Sequence, residues 1–80
     1  MEEPRRDADF TVEIAYDEEA EVWIIERSDV PGLTVEGDTY DQLIGKIHTL
    51  TPMLLAANDV QTAGDEVAID IRYRDLVRVG

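Results

Sequence analysis

Residues 28–41 read Ser-Asp-Val-Pro-Gly-Leu-Thr-Val-Glu-Gly-Asp-Thr-Tyr-Asp, and this stretch decides the fold. Pro31 presets φ at about −65° and Gly32 tolerates positive φ, the combination a type II turn needs at its two central positions. The turn separates an apolar strand behind it from a short one ahead of it. Gly37 frees the backbone just before a helix. Asp38 is placed to cap that helix by accepting from the N–H of Tyr40 or Asp41, across Thr39. Asp41 adds a second negative charge in the first turn, where the helix dipole favours it.

Working outward on the N-terminal side, residues 21–27, Glu-Val-Trp-Ile-Ile-Glu-Arg, hold four apolar residues in a row. Such a run suits a central strand covered on both faces. Before it, residues 10–16, Phe-Thr-Val-Glu-Ile-Ala-Tyr, alternate with period two. Phe10, Val12, Ile14 and Tyr16 point one way and Thr11, Glu13 and Ala15 the other, as in a half-buried strand. The acidic segment between these strands lacks an Asn-Gly signal, so the hairpin is expected to close through a four- or five-residue loop. Residues 1–9 are polar, contain Pro4, and read as a flexible arm ahead of a single domain over 10–80.

On the C-terminal side, Leu33-Thr34-Val35-Glu36 alternates as a short edge strand. Residues 39–58 read as a helix, with Tyr40, Leu43, Ile44, Ile47, Leu50, Leu54 and Ala57 on one stripe. Pro52 cannot donate to the carbonyl four residues back, so the helix is expected to kink there or to restart with Thr51 as cap. A Gly64-containing loop follows. Residues 66–73 alternate again, with Val67, Ile69, Ile71 and Tyr73 on one side. Residues 75–80 read as a short extension or as a connection to something further.

The order βββαβ defines an α+β domain. Three antiparallel strands form a meander, and a helical crossover returns the last strand beside and parallel to the first, giving spatial order 3-2-1-4. One helix covers one face. The other face is expected to carry Trp23, Ile25 and Ala15 within a rim of Glu13, Asp70 and Arg72. An apolar patch with a charged rim fits a surface for a partner or for self-association as a dimer or higher oligomer.

Composition narrows the function. Eighty residues make one small domain, which buries only about 60% of its unfolded surface. No cysteine is present, which excludes disulfides and thiolate metal sites. No apolar run approaches the roughly 20 residues of a membrane span. The N-terminus has no apolar secretory core, so a cytoplasmic location is expected. The net charge of −12 argues against direct binding to nucleic acid or anionic lipid and favours a basic protein. Residues 13–29 hold seven acids against Arg27 alone, a net −6 and half the total.

Reactive constellations are missing. His48 is the single histidine, best read as an ordinary residue of the helix surface. Glu13 and Asp70 on neighbouring strands are the one carboxylate pair that could hold Mg²⁺. A solvated rim, with Arg72 offering a salt bridge, accounts for them more simply. The glycines form neither a P-loop nor a dinucleotide fingerprint. No catalytic residue, cofactor or metal is expected.

The run from Glu21 to Ile44, with its aromatic-centred strand, Asp29-Val-Pro-Gly turn and Gly37-Asp38-Thr39 helix start, closely resembles the HicB-like superfamily. Residues 47–58 are similar to those of a stand-alone, uncharacterised branch of it. The resemblance implies a truncated ribonuclease-H-like fold. It also implies an antitoxin role, the binding of a small basic RNA-cleaving toxin of the HicA type, and self-association. These residues hold no second DNA-binding domain of the kind that lets HicB proteins repress their operon. Nor do they hold the full acidic set of an active ribonuclease H. A non-enzymatic interaction domain is therefore the expectation. The alternatives are a stand-alone small-ligand or regulatory domain and, more remotely, a metal-dependent nuclease remnant using Glu13 and Asp70.

Overall fold

The computed structural model describes residues 8–80. The elements run β1 (Phe10–Asp17), β2 (Val22–Ser28), β3 (Glu36–Gly37), α1 (Tyr40–Ala57) and β4 (Ile69–Tyr73). They form a four-stranded mixed sheet in the order β3-β2-β1-β4, with one helix. β1 and β4 are parallel and the other pairs antiparallel, so the α+β topology is the one the sequence implies. The expected arm over residues 1–9 lies almost wholly outside the described residues. Asp9, however, is tied down: its N–H donates to the Ala68 carbonyl at 2.8 Å and its Oδ2 accepts from the Ala68 N–H at 2.8 Å.

The hairpin loop sets which residues share a face. Asp17 Oδ1 accepts from the N–H groups of Glu19 and Ala20 at 3.0 and 3.2 Å, and Glu21 closes the loop at φ 57°. This four-residue connection pairs Asp17 with Val22, Tyr16 with Trp23, Ala15 with Ile24 and Ile14 with Ile25. Opposed residues stand on the same face of a sheet. Even positions of β1 therefore stand with odd positions of β2. The expectation that Trp23 and Ile25 face away from the helix is corrected: both pack against the core under α1, and Val22 and Ile24 take the open face. A five-residue loop would have given the opposite facing.

A bulge between Glu13 and Ile14 then re-phases the pair. Glu26 has no partner on β1, and beyond it Glu13 pairs with Arg27 and Val12 with Ser28. The shift delivers Asp29 onto the start of β1, where its N–H donates to the Thr11 carbonyl at 3.0 Å and its Oδ2 accepts from the Thr11 N–H at 3.2 Å. The Val30-Pro31-Gly32-Leu33 turn follows, with Leu33 N–H donating to the Val30 carbonyl at 3.2 Å and Gly32 at φ 75°. Those values fit the type II turn. Leu33 lies in this turn rather than in a strand, and β3 shrinks to Glu36 and Gly37, paired with Ile24 and Trp23. The turn nonetheless buries both flanking residues, Val30 and Leu33.

The core is completed by Val12 and Ile14 from β1 and by Leu43, Ile47 and Leu55 from α1. Each buried aliphatic side chain contributes roughly 1.5–3 kcal/mol. The helix face repeats every four residues, Leu43, Ile47, Thr51, Leu55. Thr51 and Leu55 lie outside the expected stripe, and Ala57 on it is exposed. α1 is continuous through Pro52, with neither a restart nor a cap at Thr51. Thr51 is instead a buried mid-helix residue whose hydroxyl donates to the Ile47 carbonyl at 2.6 Å. The cap also differs from expectation. Thr39, not Asp38, accepts from the Gln42 N–H at 3.1 Å, and Gln42 Oε1 accepts in return from the Asp38 N–H at 3.0 Å. This reciprocal arrangement resembles a capping box. At the other end Asp59 adopts φ 54°, its N–H reaching the Ala56 carbonyl and that of Val60 the Leu55 carbonyl. That is a Schellman closure with aspartate in the usual glycine position.

Candidate interaction surfaces

The open sheet face gathers Glu13, Ala15, Asp70 and Arg72 of the expected interface residues. By register Thr11 stands beside Asp70 and Glu13 beside Arg72. Glu13 makes its ion pairs elsewhere, to Arg27 Nε at 3.7 Å and to Arg74 at 3.8 Å, while Arg74 also reaches Glu26 at 3.7 Å. These exposed pairs contribute little to stability. They do neutralise this face, which leaves Ala15 and Ile24 in a charge-balanced setting. Among the described residues no three His, Asp or Glu side chains gather into a group able to hold a metal ion. His48 is exposed on α1.

Trp23 is the centre of a second surface. Its ring meets Tyr16 of β1 at 5.6 Å, Tyr40 of α1 at 5.5 Å and Tyr73 of β4 at 5.3 Å between centroids. Edge-on and tilted packing of this kind is favourable beyond simple burial. The three tyrosines stay 41%, 46% and 52% exposed. The cluster lies on the helix side of the sheet, where Tyr40 begins α1 and the hairpin carrying Tyr16 ends. Sequence reading places Trp23 at an interface on the other face and does not single out its three phenolic neighbours. The parity of the hairpin loop is the missing signal, because it alone decides whether Trp23 stands with Tyr16 or behind it.

Carboxylates border this end. Glu18, Glu19 and Glu21 are exposed at the hairpin tip, and Asp38 and Asp41 at the helix start. Among the described residues no ion pair engages the three tip glutamates. A third feature lies past β4, where Leu76, Val77 and Val79 are exposed. Leu76, Val77 and Arg78 of this tail line an open cleft of about 800 Å³ with Tyr16, Tyr73, Glu18 and Glu19.

Residues 9–78 match the family described as "Domain of unknown function (DUF1902)". The chain belongs to the DUF1902 family. No curated protein matches it. A solved relative is similar to this DUF1902 chain: the hypothetical protein TTHA1013 of the extreme thermophile Thermus thermophilus, at 36% sequence identity and a TM-score of 0.60. The likeness covers 85% of this chain and 99% of that one. The DUF1902 match begins at Asp9, which agrees with the clasp between Asp9 and Ala68. Among the described residues no helix is long and apolar enough to cross a membrane.

Proposed function

We infer that the domain is a non-enzymatic interaction module of antitoxin type that binds a small basic protein in the cytoplasm. The observation that carries this reading is the hairpin tip. Glu18, Glu19 and Glu21 stand exposed without an ion pair among the described residues; of the two arginines that share a cleft with Glu18 and Glu19, Arg74 is held by Glu13 and Glu26, and Arg78 pairs with neither tip glutamate. The excess negative charge of the tip repels phosphate backbones and speeds encounter with a basic surface. The resemblance of residues 21–44 to HicB proteins supports a partner of the same chemistry, a small basic ribonuclease of the HicA type. Co-expression tests the reading. Growth arrested by a HicA-type protein from the same genome is expected to recover when this domain is supplied. It is expected to recover less when Glu18, Glu19 and Glu21 are all changed to glutamine. Persistent arrest with the wild-type domain expressed and folded would contradict the antitoxin role.

A further inference from the structure

Within that reading, the cluster of Tyr16, Trp23, Tyr40 and Tyr73 has properties that the acidic tip alone does not explain. Three tyrosines from three different elements converge on one indole and keep about half their surface in water. Folding alone would favour burying these rings. Aromatic side chains that remain exposed in a contiguous group are the type of residue that dominates binding energy in interfaces. Each tyrosine ring packs on the indole of Trp23, which fills the centre of the group, so the rings form a surface and not a cage around a small cation. A planar, weakly hydrated guanidinium lies flat on such rings, whereas the compact, strongly hydrated ammonium of lysine does so less well.

The charge beside the cluster selects the occupant. The hairpin that carries Tyr16 ends in Glu18, Glu19 and Glu21, and Tyr40 lies between Asp38 and Asp41. A second copy would bring the same carboxylates and a further net −12 against them, which is repulsive. The bases nearest in sequence to Tyr73 compensate only in part: Arg74 is engaged with Glu13 and Glu26, Arg72 stands beside Glu13 on the opposite face, and Arg78, which lines the tail cleft with Tyr16, Tyr73, Glu18 and Glu19, is one cation against five bordering carboxylates. We propose that the Trp23 cluster is an arginine-docking surface, on which one or more guanidinium groups of a basic protein partner stack while the bordering carboxylates hold their charge. This rests on the basic-partner reading and adds the contact site and the residue type it recognises.

Trp23 is the sole tryptophan, so its emission reports on the cluster directly. The experiment titrates the protein with a short Arg-Gly repeat peptide and with a Lys-Gly peptide of equal charge. It compares wild type with variants in which Tyr16, Tyr40 and Tyr73 are changed to leucine or to phenylalanine. Circular dichroism confirms that each variant is folded. The arginine peptide is expected to change Trp23 emission saturably and to bind more tightly than the lysine peptide. Each Tyr→Leu change is expected to weaken it by about threefold, and the Tyr→Phe variants, which keep the ring face, are expected to bind as wild type. Equal binding of the two peptides, unaffected by leucine, would overturn the proposal and leave only attraction of a polycation to the hairpin. A HicA-type protein that binds the leucine variants as tightly as wild type would also overturn it, while the basic-partner reading would stand. Light scattering covers the remaining occupant: a dimer strengthened by salt and lost in the leucine variants would place a second copy on the cluster and overturn the proposal.

Discussion

Replacing Ile14 with alanine is expected to cost about 2–5 kcal/mol of unfolding free energy. Ile14 is fully buried and sits between Ile25 on β2 and Tyr73 on β4 in the sheet register. It therefore joins the hairpin to the strand that returns after the helix. A domain of this length has only about 4–12 kcal/mol in total. The truncation thus removes a large share of it, and in the lower part of that range the variant does not fold. Chemical denaturation followed by Trp23 emission measures the loss. A loss below about 1 kcal/mol would mean that the site collapses around the smaller side chain. Ile14 would then not be the centre of this core.

The second large effect is expected at Gly37. A Cβ built there would lie 2.7 Å from the Leu43 nitrogen, 3.1 Å from its Cα and 3.2 Å from the Gln42 carbonyl carbon. All three are backbone atoms of the first helical turn and cannot swing aside as a flexible side chain would. Gly37→Ala must therefore lift α1 from β3, which costs about 1–3 kcal/mol as overpacking does and also disturbs the Thr39–Gln42 cap. Gly45 provides the contrast. It lies mid-helix, and a Cβ added there would meet nothing within 4 Å, so Gly45→Ala is expected to stabilise by about 0.5–1 kcal/mol. Thermal melting of the pair tests both, since about 1 kcal/mol moves the midpoint of a domain this size by about 4–8 °C. Equal midpoints for Gly37→Ala and wild type would contradict the close approach of β3 to the helix.

The reason for glycine at position 37 shows where sequence reading stops. Its position before the helix suggests a need for backbone freedom, yet the requirement is contact: helix and strand approach too closely for a methyl group. Gly32 is the opposite case, because Pro-Gly announces its turn locally and the turn appears with φ 75°. Strand order and the parallel return of β4 are legible from element order and chain connectivity alone. The two faces of β2 are not. With four consecutive apolar residues, either phase buries two of them, and only the loop length breaks the tie. The bulge at Glu26 adds a second change of phase that no local pattern announces. The candidate surface follows the same error. Trp23 is recognisable as an unusual residue, but its company of three tyrosines spans residues 16–73 and depends on that register.

The cap and the proline illustrate a milder limit. Asp38 and Thr39 are both good caps, and Gln42 three residues after Thr39 is the feature that decides between them. Pro52 sits inside α1 without ending it. The bond it removes is the one to the His48 carbonyl; the hydroxyls of Thr49 and Thr51 back-bond instead to the Gly45 and Ile47 carbonyls, a pattern that bends helices rather than replacing that bond.

The measurement that bears most directly on the proposed role is the affinity of the wild-type domain for a HicA-type protein of its own genome, by calorimetry at two salt concentrations. Raising salt from about 0.1 M to about 1 M shortens the screening length from about 10 Å to about 3 Å. An acidic docking surface predicts one-to-one binding that weakens steeply across this range, and less steeply once Glu18, Glu19 and Glu21 are glutamines. No binding at the lower salt concentration, or binding indifferent to both salt and these three residues, would contradict it.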